Sequence, residues 1–198
     1  VRMGSLAGQN QRHEVKMQVS KLLATSQLIY GSLDSVEVID ADPKKGAFIS
    51  PLLLMNEKPF GSSEAHEVEA FGPVSTIMPY KHMDEAIDLS KKGKGSLCSS
   101  IVTADNKKAK QYVLGAASHH GRILVLNAAC AKESTGHGSP LPLLVHGGPG
   151  RAGGGEEMGG IRGVKHYMQR VAIQGSPTTI TAITNIYQPN AEGKDPGK

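Results

Sequence analysis

Residues 74–127 decide the fold. Three stretches within them read as strands: VSTIMPY at 74–80, LCSSIVT at 97–103 and RILVLN at 122–127. Two helical patterns lie between. Residues 82–92 place Met83, Ala86 and Ile87 on one side, and residues 106–118 turn Ala109, Val113, Leu114 and Ala117 inward, on the spacing of a helix face. Asp105 stands where its carboxylate can cap the second helix. The third stretch is apolar on consecutive positions, as suits a strand buried on both faces. The order β-α-β-α-β predicts parallel strands joined by right-handed helical crossovers. The fold class is therefore α/β, a parallel sheet with flanking helices.

Toward the N-terminus, Val15, Val19, Leu22 and Leu23 recur at helical spacing and predict an amphipathic helix over 9–25. Segment 28–39 reads as short strands broken at Gly31-Ser32, segment 47–54 as extended chain interrupted by Pro51, and 56–66 as polar loop. Toward the C-terminus, glycine accumulates between 136 and 163, so most of 128–163 is predicted to be loop. A loop of that length in a compact domain is often functional. A helix is predicted at 162–169 and a strand at 170–174. A second helix opens at Ser176-Pro177, with Ile180, Ile183 and Tyr187 on one face. Residues 188–198 are linker-like.

The chain has 198 residues and a mass of 20.9 kDa, room for one domain, or one domain and part of another. With 38% apolar and 20% charged residues, it is a globular chain. Tryptophan is absent and the other aromatics are few, so the core falls to Leu, Ile, Val, Met and Ala. The net charge of +4 comes without the basic stripe and stacking aromatics of a nucleic-acid binder, and no such partner is expected. Cys98 and Cys130 form no disulfide framework and suit a reducing compartment. No run approaches the roughly 18 apolar residues of a membrane span, and the first residues do not read as a signal peptide. A cytoplasmic location without membrane attachment is expected. The chain opens at Val1 rather than Met, as a piece of a longer protein would.

Several groups could carry chemistry. The phosphate-binding loops G-x4-G-K-[ST] and G-x-G-x-x-G are absent. GGGEEMGG at 153–160 has the composition without the spacing, and Glu156 and Glu157 would repel a phosphate. Cys98, inside a strand, reads as a small buried hydrophobe. Cys130 follows a strand end, where α/β folds gather ligands, and could pair with His137 or His146 as a thiolate–imidazole couple. Glu133, His137 and His146 fit no zinc spacing, and no metal is expected. His119 and His120 end a helix, where a cation complements the dipole. Glu69, in HEVEAFGPV, is different. In extended chain Glu69 and Phe71 point to the same face. A carboxylate can hold the two vicinal hydroxyls of a ribose, and an adjacent ring can pack on a flat heterocycle. The alternative is a surface acid beside a core phenylalanine.

EAFGPV at 69–74 resembles the ExFGPV motif of the aldehyde dehydrogenase superfamily. The segments around it are similar to further family motifs in the same order: MGSLAGQNQRHEV from residue 3, GSLCSSIVTAD at 95–105, GRILVLN at 121–127 and HGGPGRAGGGEE at 146–157. The resemblance covers about residues 3–175. KESTGHGSPLP, HGGPGRAGGGEEMGG and VKHYMQRVAIQGSP are similar to the aldehyde dehydrogenase part of the bifunctional PaaZ-type enzymes of phenylacetate degradation.

The resemblance implies the C-terminal catalytic portion of the aldehyde dehydrogenase fold over 1–175, including an oligomerisation strand. It implies a helix and linker over 176–198, leading to a hydratase domain outside these residues. It implies oxidation of a semialdehyde on a CoA thioester, with NADP or NAD as acceptor, by thiolate attack, hydride transfer and hydrolysis. The nucleophilic Cys and the base Glu of the family lie upstream, so no catalytic residue is expected among these residues. Glu69 would hold the nicotinamide ribose and Phe71 would pack on the nicotinamide end. Gly72 and Pro73 would set the turn that presents them. Asn127 would end the strand beneath the active-site loop. The loop 132–155, with Glu133, His137 and His146, would shape the substrate entrance. The usual Lys, Ser and Arg of the glycine motif are replaced by Gly150, Ala152 and Glu156. A homo-oligomer formed through strand 170–174 is expected.

Overall fold

The computed structural model of the chain describes residues 3–134, 136, 147–153, 168 and 170–193. It divides into two compact units, residues 1–80 and 81–198.

In the first unit, helix α1 (Gln9–Leu22) buries Val15, Val19 and Leu22, the i, i+4, i+7 face expected from the sequence. Full burial of Val15 and Val19 stabilises the unit by about 1.5–3 kcal/mol for each side chain. They pack with Ile49 and Leu52, and Leu23, Leu28, Ala70 and Val74 close the cluster. The sheet of this unit has the order β1-β2-β3. Strand β1 (Gln27–Tyr30) runs antiparallel to β2 (Leu52–Met55), which runs parallel to β3 (Val74–Ile77). Pro51 lacks the amide a ladder needs, and β2 begins immediately after it. The extended reading of 28–39 holds only to Tyr30. The loop at 56–66 gives way to a one-turn helix, α2 (Glu64–Glu67).

In the second unit, β4 (Ser96–Val102), β5 (His120–Leu126) and β6 (Ala172–Gln174) form a parallel sheet in that order. Helices α3 (Met83–Lys91), α4 (Asn106–Ala116) and α5 (Pro177–Thr184) accompany it. Ile87, Tyr112, Val113 and Ile183 from the helices meet Ile101, Ile123, Val125 and Ile173 from the strands in one core. The α/β class, parallel strands with flanking helices, is borne out. Central strand β5 buries both faces, with Ile123, Leu124 and Val125 all inaccessible, as its consecutive apolar residues predict.

Three sequence readings are corrected. Strand 74–77 pairs with β2, not with the later strands, so the β-α-β-α-β run is shared between two sheets. Nothing within VSTI distinguishes one parallel neighbour from another. On α4 the inward arc is Ala109, Tyr112, Val113 and Ala116, while Leu114 is 66% exposed. Successive residues turn about 100° around a helix, and Tyr112 draws the buried arc away from Leu114 by hydrogen-bonding the Ser99 hydroxyl. Finally, His120 is not a cation at a helix end. It opens β5 and is buried at 3% exposure.

The caps follow the sequence closely. Asp105 accepts from Lys107 N at 2.8 Å and Lys108 N at 3.2 Å. Ser176 caps α5, with Pro177 in its first turn. That helix ends at Thr184, where Asn185 takes a left-handed conformation, so Tyr187 lies beyond it. The helix predicted at 162–169 falls outside the described residues, except for Met168.

Candidate cofactor-binding site

The segment 69–74 leaves α2 in extended form and enters β3. Alternation along it puts Ala70 into the core and leaves Glu69 exposed, with Phe71 71% exposed. The turn is tight. Gly72 N donates to Ala70 O at 2.7 Å and Val74 N donates to Gly72 O at 2.8 Å, two successive i to i+2 turns. Leu52 N then donates to Pro73 O at 2.9 Å and joins the segment to β2. Gly72 is needed for close approach, because a Cβ there would sit 2.8 Å from a methyl of Val15.

Two side chains from α1 meet this turn on one helix face. Val15 abuts Gly72, and Gln11 Nε2 donates to Phe71 O at 2.8 Å. Glu69, Ala70, Phe71 and Gly72 line one wall of a cleft of about 650 Å³. Gln11, Leu22, Ala65, Val68, Val74, Thr76 and Met78 complete it. The exposed carboxylate and ring stand two residues apart on the lip. A carboxylate that accepts from vicinal hydroxyls and a ring that covers a flat heterocycle together suit a nicotinamide riboside.

A second, smaller pocket of about 300 Å³ lies after β5, on the side where parallel strands gather ligands. Cys130, Glu133, Ser134, Gln174 and Ser176 contribute its polar lining. Asn127 ends β5 and shapes the turn that follows. Its carbonyl accepts from Cys130 N at 3.2 Å and Ala131 N at 3.0 Å, and its Oδ1 accepts from Ala129 N at 3.0 Å. The thiol of Cys130 lies 3.5 Å from Val125 O and 3.7 Å from both oxygens of Asn127. Its hydrogen-bond partners are therefore all acceptors.

Asn127 is itself held from α5. Its Nδ2 donates to Thr179 Oγ1 at 3.1 Å, Thr179 Oγ1 donates to Asn106 Oδ1 at 3.0 Å, and Ser176 Oγ donates to Thr179 Oγ1 at 3.0 Å. Thr179 is 1% exposed, so the three bonds meet on one buried hydroxyl. The glycine-rich segment also has a fixed part. Gly148 N donates to Gly153 O at 2.8 Å and Arg151 N to Lys94 O at 3.1 Å. Gly150 has φ of 55°, and a Cβ there would meet Lys94 O at 2.1 Å. Only glycine accepts both demands.

Of the residues singled out by sequence, Glu69 and Phe71 come together on the first cleft. Glu133 lines the second pocket. His137 and His146 lie outside the described residues, and with them the pairings proposed for Cys130 and Glu133. Among the described residues no cluster of His, Cys, Asp and Glu could hold a metal, and no helix is long and apolar enough to cross a membrane. Sequence reading missed Gln11, Thr179, Asn106 and Ser176 as elements of these sites. Only Ser176 carried a local signal, as a helix cap.

Residues 1–173 match the Aldehyde dehydrogenase family. The chain belongs to the aldehyde dehydrogenase family. It is 51% identical over 183 residues to Protein MaoC of Klebsiella aerogenes, covering 91% of this chain and 52% of that protein. It is 36% identical over 149 residues to the 3,4-dehydroadipyl-CoA semialdehyde dehydrogenase of Aromatoleum evansii, covering 75% of this chain and 29% of that protein. Among solved structures, the succinic semialdehyde dehydrogenase of Streptococcus pyogenes, in complex with NADP+, superposes with a TM-score of 0.57 at 22% identity. That match covers 76% of this chain and 29% of the other. The chain thus spans about half the length of one curated aldehyde dehydrogenase relative and less than a third of the other.

Proposed function

We propose that these residues form the cofactor-positioning part of an NAD(P)-dependent dehydrogenase that oxidises a CoA-linked semialdehyde to the acid in aromatic-acid catabolism, that of phenylacetate. The observation that carries this reading is the pairing of Glu69 with Phe71 on the lip of the first cleft. Relatedness to a CoA-semialdehyde dehydrogenase supports the substrate class. The net reaction takes aldehyde, water and NAD(P)+ to carboxylate, NAD(P)H and two protons.

In this reading Glu69 accepts hydrogen bonds from the nicotinamide ribose and Phe71 covers one face of the nicotinamide. The bound dinucleotide supplies the hydride acceptor. Asn127 and Glu133 belong to the substrate entrance, together with His137 and His146. The nucleophilic thiol is neither Cys98, within β4, nor Cys130, whose thiol is turned to backbone and amide oxygens. It lies on the upstream part of a longer polypeptide, and residues 176–198 lead toward a further domain. The enzyme works in the cytoplasm.

The test compares the longest natural polypeptide carrying these residues with the 198-residue chain alone. The former is expected to reduce NADP+ or NAD+ in the presence of a CoA-linked aliphatic semialdehyde, and the latter to show no turnover. Turnover by the short chain that disappears in Cys130→Ala would overturn the assignment in favour of a thiol enzyme built on Cys130.

A second reading, a non-catalytic assembly role for the isolated chain, rests on β6. Among the described residues this strand has a neighbour on one side only, β5, and an open strand edge is a template for another chain. We propose that copies associate through it as a homo-oligomer. Light scattering at micromolar concentration is expected to show a dimer or larger species. A monomer would remove the edge-strand proposal.

A further inference from the structure

The side chain of Gln11 does two things at once. Its Oε1 accepts from Ala7 N at 3.0 Å, and its Nε2 donates to Phe71 O at 2.8 Å. Gln11 is the third residue of α1, whose N-cap, Gly8, has no side chain to offer. Reaching back from the third position to the amide one residue before the N-cap resembles the return half of a capping box, which binds the N-cap's own amide. The other end of the amide is unrelated to the helix. It holds the carbonyl between the two i to i+2 turns, centred on Phe71 and Pro73, that shape the segment.

Neighbouring bonds do not replace that hold. Ala70 O, Gly72 O and Pro73 O accept from Gly72 N, Val74 N and Leu52 N respectively, while the bond to Phe71 O comes from Gln11. One turn further along α1, Val15 fills the space against Gly72. Two side chains at i and i+4 of one helix therefore fix two consecutive residues of the turn. Glu69 and Phe71 are both exposed, so the backbone beneath them largely sets their orientation.

We propose that Gln11 is a positioning residue that sets the orientation of the 69–72 segment, and through it the alignment of Glu69 and Phe71 toward the dinucleotide. The proposal rests on the cofactor reading given above. Gln11 acts through the Phe71 carbonyl, by a donor that only the amide form of this side chain supplies.

The discriminating variant is Gln11→Glu. A glutamate still accepts from Ala7 N, and its charge suits the first turn of a helix. It cannot donate to Phe71 O. Its fold stability is therefore expected to match or exceed that of the wild type, while the turn loosens. In the cofactor-free protein, exchange of the Gly72 and Val74 amides is expected to rise about threefold or more, read by NMR or by millisecond-quench mass spectrometry. In the longest natural polypeptide carrying these residues, the dissociation constant for NADPH or NADH is expected to rise about threefold to tenfold, the range of one lost hydrogen bond.

Glu69→Gln in the same polypeptide is the control. If Glu69→Gln leaves dinucleotide binding unchanged, the cofactor reading fails and the purpose assigned to Gln11 fails with it. If Glu69→Gln weakens binding and Gln11→Glu does not, the proposal for Gln11 alone is overturned. Unchanged exchange at Gly72 and Val74 overturns it as well. A melting temperature lowered by Gln11→Glu, with affinity intact, would show a residue that merely holds the fold.

Discussion

The two candidate sites are held in opposite ways. At the 69–74 turn the candidate groups, Glu69 and Phe71, stand in solvent, and the backbone beneath them is fixed by Gln11 and Val15. After β5 the candidate residue, Asn127, is tied by its own side chain into bonds that converge on the buried Thr179 hydroxyl. The difference is one of free side chains. A group that must bind a ligand keeps its hydrogen-bonding capacity unspent, so its placement has to come from the main chain. A group that shapes a turn satisfies its own polar atoms and is placed by them. At the first site the candidate ligand groups and the residues that hold the fold are different, whereas at the second they coincide.

That contrast is tested most sharply at Glu69. In the complete enzyme, Glu69→Gln is expected to slow single-turnover hydride transfer about a hundredfold, since a small misplacement of a reacting centre costs on that order. The melting temperature should hold, because the carboxylate is exposed. A wild-type rate would show Glu69 to be a surface acid. A large fall in melting temperature would erase the distinction between the two sites.

The second site should fail the other way. Thr179→Val preserves the shape and removes the hydroxyl. Asn127 Nδ2, Asn106 Oδ1 and the Ser176 hydroxyl then lose a shared partner in a buried setting. Each buried polar group left unsatisfied costs about 1–3 kcal/mol, and relaxation brings the sum to about 2–4 kcal/mol. For a unit of this size the melting temperature is expected to fall by roughly 5–15 °C, measured by calorimetry. A shift below about 2 °C would mean that Thr179 does not organise the turn after β5.

The same contrast explains what the sequence made legible. Consecutive apolar residues at 123–126, the Asp105 and Ser176 caps and the α1 stripe are local signals, and each maps onto its element. Glu69 and Phe71 were legible because alternation in extended chain needs only two residues. The sheet that β3 joins was not, because its register against Leu52–Met55 is decided by a partner some twenty residues away. Gln11 is sixty residues from Phe71, and Thr179 is 52 from Asn127 and 73 from Asn106. A glutamine on a polar helix face or a threonine after a cap carries no spacing that points so far. Residues that bind can be guessed from their chemistry, whereas the residues that place them are set by the tertiary fold.

The smallest expected effect sharpens the rule that a placed group satisfies its own polar atoms, because His120 does so at one nitrogen only. Ser96 Oγ lies 2.6 Å from Nδ1 and donates its hydrogen to Cys98 O at 3.2 Å. The tautomer that satisfies both groups has its hydrogen on Nδ1, donating to Ser96 Oγ. The Nε2 atom is buried without a partner among the described residues. A second proton there would be buried without an acceptor. Burial accordingly lowers the His120 pKa from its ordinary 6.5, and the neighbouring His119 lowers it further. The sign follows from linkage. Above pH 6.5 the imidazole is neutral whether the chain is folded or not. As pH falls below 6.5 the unfolded chain takes up a proton that the folded chain refuses, so stability drops until the folded imidazole also titrates. The melting temperature is thus expected to decline between about pH 7 and pH 5. His120→Asn, whose side-chain amide can stand where Nδ1 does and which does not titrate, should flatten that decline. An equally steep decline in the variant would assign the acid sensitivity to other groups and leave the unpaired Nε2 without consequence for stability.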